Sequence, residues 1–125
     1  MNQSRMTSLA RLADLRERKM LARLQRVQVK IQRLKAELRS LTGLPDVAQQ
    51  DIAATKAFDH WLYRRALRKA DIAGKIAGLA PELARARADA QQAVGTHHII
   101  SQMIENERQH TARRTTRRAE VSQTS

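Results

Sequence analysis

The sequence of 125 residues has no cysteine and contains only two prolines, four glycines and three aromatic residues. Without cysteine, the chain can form neither disulfide bonds nor a metal site built on thiolates. So few prolines and glycines cannot supply the turns of a many-stranded β fold. No apolar run approaches the ~20 residues of a membrane-spanning helix, and residues 1–10 lack the apolar segment of a signal peptide. We therefore expect a soluble cytoplasmic protein.

The residues that are abundant favour helices and carry positive charge. Ala, Leu, Arg and Gln are strong helix formers, and such a composition is typical of long helices or coiled coils. The chain has 24 basic and 12 acidic residues, a net charge of +12. Residues 1–42 alone contain 11 basic and 3 acidic residues. This excess attracts acidic partners without identifying them.

Apolar residues recur in the first third of the chain at alternating spacings of three and four. This repeat is typical of a coiled-coil helix, in which the repeated residues form one seam. It predicts a first helix over residues 4–42, roughly 55 Å long at 1.5 Å per residue. The seam positions are Leu24, Ile31 and Leu38 at a, with Met20, Val27, Leu34 and Leu41 at d.

The strongest turn signal in the chain follows this repeat directly. Gly43 suits a left-handed helix C-cap, and Pro45 cannot continue the helix. Asp46 begins a pattern that resembles a capping box. We therefore predict a turn over residues 43–46 and a second helix from residue 47.

The second predicted helix, residues 47–118, contains Pro81, and two interpretations are open. A break near Gly78–Pro81 would give a three-helix bundle, whereas a helix kinked at Pro81 would give a long antiparallel two-helix coiled-coil hairpin. We favour the all-α hairpin because the heptad repeat crosses Pro81 without a change of phase. The repeat runs through Ile72, Ile76, Leu79, Leu83, Ala86, Ala90, Ala93, His97, Ile100 and Ile104.

The apolar repeat ends near Glu107, and the rest of the chain is basic and polar. Chain termini without an apolar face are commonly disordered. We therefore predict one helical coiled-coil domain over residues 1–120 and a disordered tail over residues 121–125.

The sequence contains no pattern typical of catalysis, of cofactor binding or of metal binding. Asp59–His60 and Glu107–His110 are interpreted as surface pairs, because a thin coiled coil offers no pocket in which to activate a nucleophile. His97 and His98 are adjacent, so they point to different sides of a helix, and we expect His97 in the seam and His98 in solvent. The prediction is a protein without enzymatic activity, cofactor or metal.

Basic and aromatic side chains are the candidates for partner binding. Basic residues are spread along the first helix, and four arginines lie near the end of the second. The three aromatic residues of the chain lie within six positions and cannot all face one helix seam, so at least one should be exposed and available to a partner. The candidate partner-binding residues are Arg11, Arg18, Phe58, Trp61, Leu62, Tyr63, Arg113, Arg114, Arg117 and Arg118.

These features together resemble one family, the flagellar export protein FliJ and its injectisome relatives, the SctO (YscO) stalk proteins. The resemblance is carried by the heptad helix from Met20 to Leu41, by the F-x-x-x-L pattern of Phe58 and Leu62 in the second helix, and by the polar basic stretch from Ile100 to Arg118. It covers most of the chain. Where the family continues with a small residue and a histidine, this sequence has Arg65 and Lys69.

The resemblance implies a fold, a role and two partners. Members of this family are antiparallel two-helix coiled coils that insert their joined N- and C-terminal ends into the ring of the export ATPase and contact the export gate nearer the hairpin tip. By resemblance we expect a non-enzymatic stalk or adaptor of a type III export apparatus, peripheral to the inner membrane. The export ATPase ring, the export gate protein and export chaperones would be its partners.

Two other functions remain open from the residues alone. A basic coiled-coil protein could bind nucleic acid through phosphate contacts, with an affinity that falls steeply with salt. Against this, no block of consecutive basic residues precedes the heptads, and no interleaved aromatics offer base stacking. The third function is that of a generic coiled-coil scaffold, which as a parallel zipper would need a partner chain.

Overall fold

The computed structural model describes residues 3–42 and 52–124 and contains two α-helices, α1 (Gln3–Ser40) and α2 (Ile52–Thr124). The described residues contain no β-strand, and the two helices pack against each other as an all-α two-helix hairpin. At 1.5 Å per residue, the 38 residues of α1 span about 57 Å and the 73 residues of α2 about 110 Å. The predicted turn at 43–46 and the predicted helix start at residue 47 lie outside the described residues.

Helix α1 ends at Ser40 with its last carbonyl groups hydrogen-bonded locally. The amide of Leu41 donates to the carbonyl of Leu38 at 3.2 Å, and the amide of Thr42 donates to that of Arg39 at 3.1 Å. The hydroxyls of Ser40 and Thr42 donate to the carbonyls of Glu37 and Arg39, both at 2.6 Å. These bonds satisfy acceptors that a helix end otherwise leaves to solvent.

Helix α2 is continuous through Pro81, so the three-helix alternative is wrong. Proline removes one backbone hydrogen bond from a helix interior. Pro81 itself is exposed, while Leu79 and Leu83 on either side pack against the hydrophobic core. The packing of the apolar repeat on both sides of Pro81 therefore stabilises the helix more than the proline destabilises it.

The end of α2 also differs from the sequence-based expectation. The tail predicted from Val121 is helical in the structure as far as Thr124. Residues 96–124 contain neither glycine nor proline and include five Arg, three Gln and three Glu. Such residues favour a helix without an apolar face to bury. The prediction of disorder gave too little weight to this local preference.

The contacts divide the chain into two compact units, each containing part of both helices. The central unit is Arg23–Ala86, and the terminal unit is Met1–Ala22 with Arg87–Ser125. In the central unit, Val27, Ile31 and Ala86 form a buried cluster, against which four half-buried residues pack. These four are Leu24, Ile76, Leu79 and Leu83. Ile72 in the same unit is fully buried.

The terminal unit has a narrower seam. Its buried residues are Met6, Ala13, Ala90 and Ala93. Alanine side chains are small and bury little apolar area. Because hydrophobic stabilisation scales at roughly 25 cal/mol per Å² of buried apolar surface, they contribute little to stability. A polar contact also lies along this seam, where the ring Nδ1 of His97 meets Oε2 of Glu17. This seam is therefore both thin and partly polar.

Candidate interaction surfaces

An apolar ridge lies on the outside of the terminal unit. Leu9, Leu12 and Leu15 follow one another at three-residue spacing on α1, so their side chains are neighbours on the helix surface. Their exposed fractions are 39%, 64% and 61%. On α2 of the same unit, Ile99 and Met103 are four residues apart and are also exposed. We call Leu9, Leu12, Leu15, Ile99 and Met103 the terminal apolar surface.

This surface is additional to the seam of the terminal unit. The seam side of α1 is marked by the buried Met6 and Ala13, seven residues apart. Leu15 lies two residues after Ala13, which places it about 200° further around the helix at 3.6 residues per turn. A group of large exposed apolar side chains is typical of a protein interaction site.

His97 of α2 and Glu17 of α1 form a polar side-chain contact in the terminal seam. Both side chains are half-buried, and they come from different helices. Next to Glu17 on α1, Arg16 makes a second cross-helix contact, in which its Nη2 donates to Oε1 of Gln92 at 3.5 Å. His97 thus lies in the seam and His98 is exposed, as the sequence indicated. These contacts set the register of the two helix segments within the terminal unit.

The aromatic residues of α2 form a stacked cluster in the central unit. The rings of Phe58 and Trp61 stack with centroids 5.9 Å apart and an interplanar angle of 17°. The guanidinium of Arg65 lies over Trp61, 4.7 Å from the ring centroid, in a cation–π arrangement. Phe58, Trp61 and Leu62 are half-buried, whereas Tyr63 is 62% exposed. The predicted aromatic patch therefore divides into a stacked part and one exposed ring.

Arg65 is the buried charged residue of this cluster. It is 9% exposed, and its Nε has no hydrogen-bond partner. A charged group held this way is expensive unless its charge is compensated, and the face of Trp61 provides part of that compensation. The position follows Phe58 and Leu62 in the heptad repeat, so the register puts Arg65 where an apolar residue is usual.

The exposed continuation of this cluster is short. Leu67 lies four residues after Tyr63 and is 54% exposed. Residues at this spacing are neighbours on one helix face. Tyr63 and Leu67 therefore form a small apolar pair on the surface of the central unit, next to the exposed Arg64 and Arg68.

The predicted basic residues are all on the surface. Arg11 is exposed, and Arg18 is tied to Asp14 one turn earlier, with Nε 3.1 Å from Oδ2. The C-terminal arginines are exposed along the last turns of α2, and they are Arg113, Arg114, Arg117 and Arg118. All six belong to the terminal unit. The structure thus brings the basic candidates into one unit and leaves the aromatic candidates in the other.

The described residues show no group of three His, Asp or Glu side chains arranged to hold a metal ion. A groove in the terminal unit is lined by residues near both ends of the chain, including Met6, Ile104 and Thr111. Its lining combines apolar and polar side chains. No helix among the described residues is long and apolar enough to cross a membrane.

Three features of these surfaces were not predicted from the sequence. The terminal apolar surface was not among the predicted sites, although Leu9, Leu12 and Leu15 lie beside the seam positions in the sequence. Arg65 was noted only as a departure from a family pattern. The cross-helix contact of Glu17 with His97 was not predicted, because it depends on the register between two helices far apart in sequence. Both residues do fall on the heptad positions, which was the available signal.

Comparison of this chain with protein-family models, with curated proteins and with solved structures finds no match in any of the three.

Proposed function

We propose that this protein is a non-enzymatic stalk or adaptor of a type III protein export apparatus, flagellar or injectisome. In this role the terminal unit engages the ring of the export ATPase, and the aromatic cluster of α2 contacts the export gate. The proposal is supported by the sequence resemblance and by the all-α two-helix fold. The observation that carries it is the terminal apolar surface, which lies in the part of the chain where that resemblance puts the ATPase contacts.

The terminal apolar surface suits insertion between other subunits. Leu12, Leu15 and Ile99 each leave more than half of their area in water, and covering such side chains on binding yields about 25 cal/mol per Å² of apolar surface. Arg11 and the C-terminal arginines are exposed in the same unit and give it positive charge. Exposed apolar and basic side chains together would complement an acidic lumen and speed association at low salt.

A stalk of this kind acts without chemistry of its own. It changes the activity of an ATPase by binding one conformation of the subunits more tightly than another. The thin alanine seam of the terminal unit fits this role, because small residues let two helices share a narrow space. The exposed pair of Tyr63 and Leu67 is the counterpart in the central unit, and we assign it with Phe58 and Trp61 to the gate contact.

The proposal is tested with the full chain and the purified export ATPase from the same genome. We expect the protein to bind the ATPase and stimulate hydrolysis. The double substitution L12Q/L15Q should abolish stimulation and leave the helical content unchanged, because both side chains are exposed. The control L67Q removes a similar exposed leucine from the central unit and should retain stimulation. Absence of binding and stimulation by the wild-type chain would refute the proposal.

Nucleic-acid binding is the second candidate, favoured by the four exposed arginines at the end of α2. In that case partners recovered from the native host's lysate should disappear on nuclease treatment, and affinity should fall steeply with salt. Recovery of an export ATPase that resists nuclease supports the stalk. Recovery of nucleic-acid-dependent proteins alone would replace the stalk with phosphate binding.

A further inference from the structure

Helix α1 has a second patterned face within the central unit, opposite the seam. Val29 lies two residues from both Val27 and Ile31, so at 3.6 residues per turn it points about 200° away from each of them. Ala36 repeats this position seven residues later. The outer face of α1 therefore carries apolar residues at heptad spacing, in addition to those of the seam.

A shallow depression on this face is lined entirely by described residues of α1. Its residues are Val29, Gln32, Arg33, Lys35, Ala36 and Arg39, which we call the basic groove. Val29 is half-buried although it points away from the seam, whereas the three basic residues and Ala36 are exposed. Long basic side chains can cover apolar floor with their aliphatic stems and keep their charges in water.

The charges along this part of α1 are of one sign. From Arg23 to Arg39, the helix has six basic residues and a single acidic one, Glu37. Glu37 forms an ion pair with Arg68 of α2, whose Nε lies 3.1 Å from Oε1 of Glu37. The remaining acidic residues of α1 are Asp14, which pairs with Arg18, and Glu17, which contacts His97. Each carboxylate of α1 therefore has a partner other than the basic residues of the groove.

We infer that the basic groove docks an acidic amphipathic helix of a partner protein. The apolar side chains of that helix would lie on Val29 and Ala36, and its carboxylates would meet Arg33, Lys35 and Arg39. Heptad spacing of the floor matches the spacing of apolar residues on a partner helix, and opposite charge on the rim steers and orients it. This inference does not depend on the partner being part of an export apparatus.

Two other occupants fit the groove less well. A second copy of this chain brings a net charge of +12 to a surface that is already basic, so like charges would oppose the contact. The phosphates of a nucleic acid could pair with the basic residues of the groove, but they would make no apolar contact with Val29 and Ala36. The chain also has no aromatic residue in α1 on which a base could stack.

The test uses the full chain and a fluorescently labelled helical peptide with Leu along one face and Glu on both flanks. A control peptide has Gln in place of each Glu, and a single-stranded oligonucleotide is the third probe. We expect the acidic peptide to bind at low salt, the Gln peptide to bind at least about fivefold more weakly, and salt to reduce the difference.

Two variants locate the binding. R33Q/K35Q removes two rim charges, and we expect it to weaken the acidic peptide about fivefold. R64Q/R85Q removes the same charge from exposed positions of α2 in the central unit and should leave binding unchanged. V29Q introduces a better helix former but removes the larger apolar side chain of the groove, and it should weaken peptide binding severalfold. Circular dichroism checks that every variant keeps the helical content of the wild type.

Three results would overturn the inference. The first is no binding of the acidic peptide at low salt. The second is equal loss of binding in R33Q/K35Q and R64Q/R85Q, which would show attraction to the net charge alone. The third is tighter binding of the oligonucleotide that V29Q does not affect, which would make the groove a phosphate-binding face.

Discussion

The central and terminal units are built from the same two helices but distribute their apolar residues differently. The central unit buries branched residues, Val27, Ile31 and Ile72, and among described residues leaves only Tyr63 and Leu67 as exposed large apolar groups. The terminal unit buries Met6 and three alanines, and eight exposed large apolar residues belong to it. The comparison shows that a heptad pattern can hold two helices together with very different amounts of buried area.

This difference has a functional meaning. A helix pair that buries its large side chains is complete by itself, whereas one that buries alanine and exposes leucine has apolar surface left for a partner. We therefore expect the central unit to supply most of the stability and the terminal unit to offer the larger exposed apolar surface to a partner. Four experiments test this division, in order of the size of effect.

The largest effect is expected from a matched pair of isoleucine substitutions. Ile72→Ala should lower the free energy of unfolding by about 2–5 kcal/mol, because it empties a fully buried position in the central unit. Ile99→Ala in the terminal unit should change it by less than about 0.5 kcal/mol, because Ile99 is 59% exposed. Thermal and urea unfolding followed by circular dichroism measures both. Similar losses for the two variants would remove the distinction between the units.

The second effect concerns Pro81, which lies inside α2 in the central unit. Pro81→Ala restores a backbone donor and should stabilise the chain by up to about 3 kcal/mol. The side chain is exposed, so little packing is lost. Chemical denaturation measures the change, with the exposed Ala80→Gln as a control that keeps Pro81. A destabilised P81A variant would show that the proline holds a bend on which the seam depends.

The third experiment converts the terminal seam to the central type. Replacing Glu17 and His97 together by leucine should stabilise the terminal unit by about 1–2 kcal/mol, because half-buried polar partners are exchanged for apolar packing. Hydrogen exchange should show slower exchange in residues 3–22 and unchanged rates in the central unit. The single variants E17L and H97L should gain less, since each leaves one polar group without its partner. A stability loss in the double variant would show that the polar contact contributes more than leucine packing.

The smallest effect comes from two helix-interior glycines, one in each unit. A Cβ added at Gly78 or at Gly95 meets no atom within 4 Å. Gly78→Ala and Gly95→Ala should therefore each raise stability by about 0.5–1 kcal/mol through helix propensity alone. Melting temperatures compared with the wild type measure the gain. A loss at Gly95 but not at Gly78 would indicate that the terminal seam needs closer helix approach than the structure has.

The elements of the fold could be predicted because their signals are local. The heptad repeat from Met20 to Leu41 indicated a first long helix, and a second repeat that crosses Pro81 indicated another. The structure has both helices. The predicted end of α2, residue 118, was too early, because the prediction depended on an apolar pattern. Helix propensity without such a pattern extends α2 to Thr124. Gly43 and Pro45 lie outside the described residues, so the predicted turn stays a prediction.

The candidate surfaces could be predicted only in part. The composition and spacing of Phe58, Trp61 and Tyr63 implied that at least one aromatic residue is exposed, and Tyr63 is. Burial of Arg65 on Trp61 was not foreseen, because a cation at a seam position can either snorkel to water or stack on a ring. The terminal apolar surface was missed for a related reason. Leucines beside a heptad could belong to a wider seam, and only the contacts of α2 decide whether they are covered.

The sequence by itself determined that the chain is helical, that its apolar residues repeat at 3.5-residue spacing, and that its first helix is strongly basic. These properties depend on the helix propensity, the apolar periodicity and the charge of the residues. Each can be recognised within a short segment, without knowledge of contacts between distant residues. Tertiary structure alone decided which leucines remain in water, that Glu17 meets His97, and that Arg65 is buried against Trp61. Each of these depends on the register between two helices distant in sequence, and a shift of one turn would change every pair.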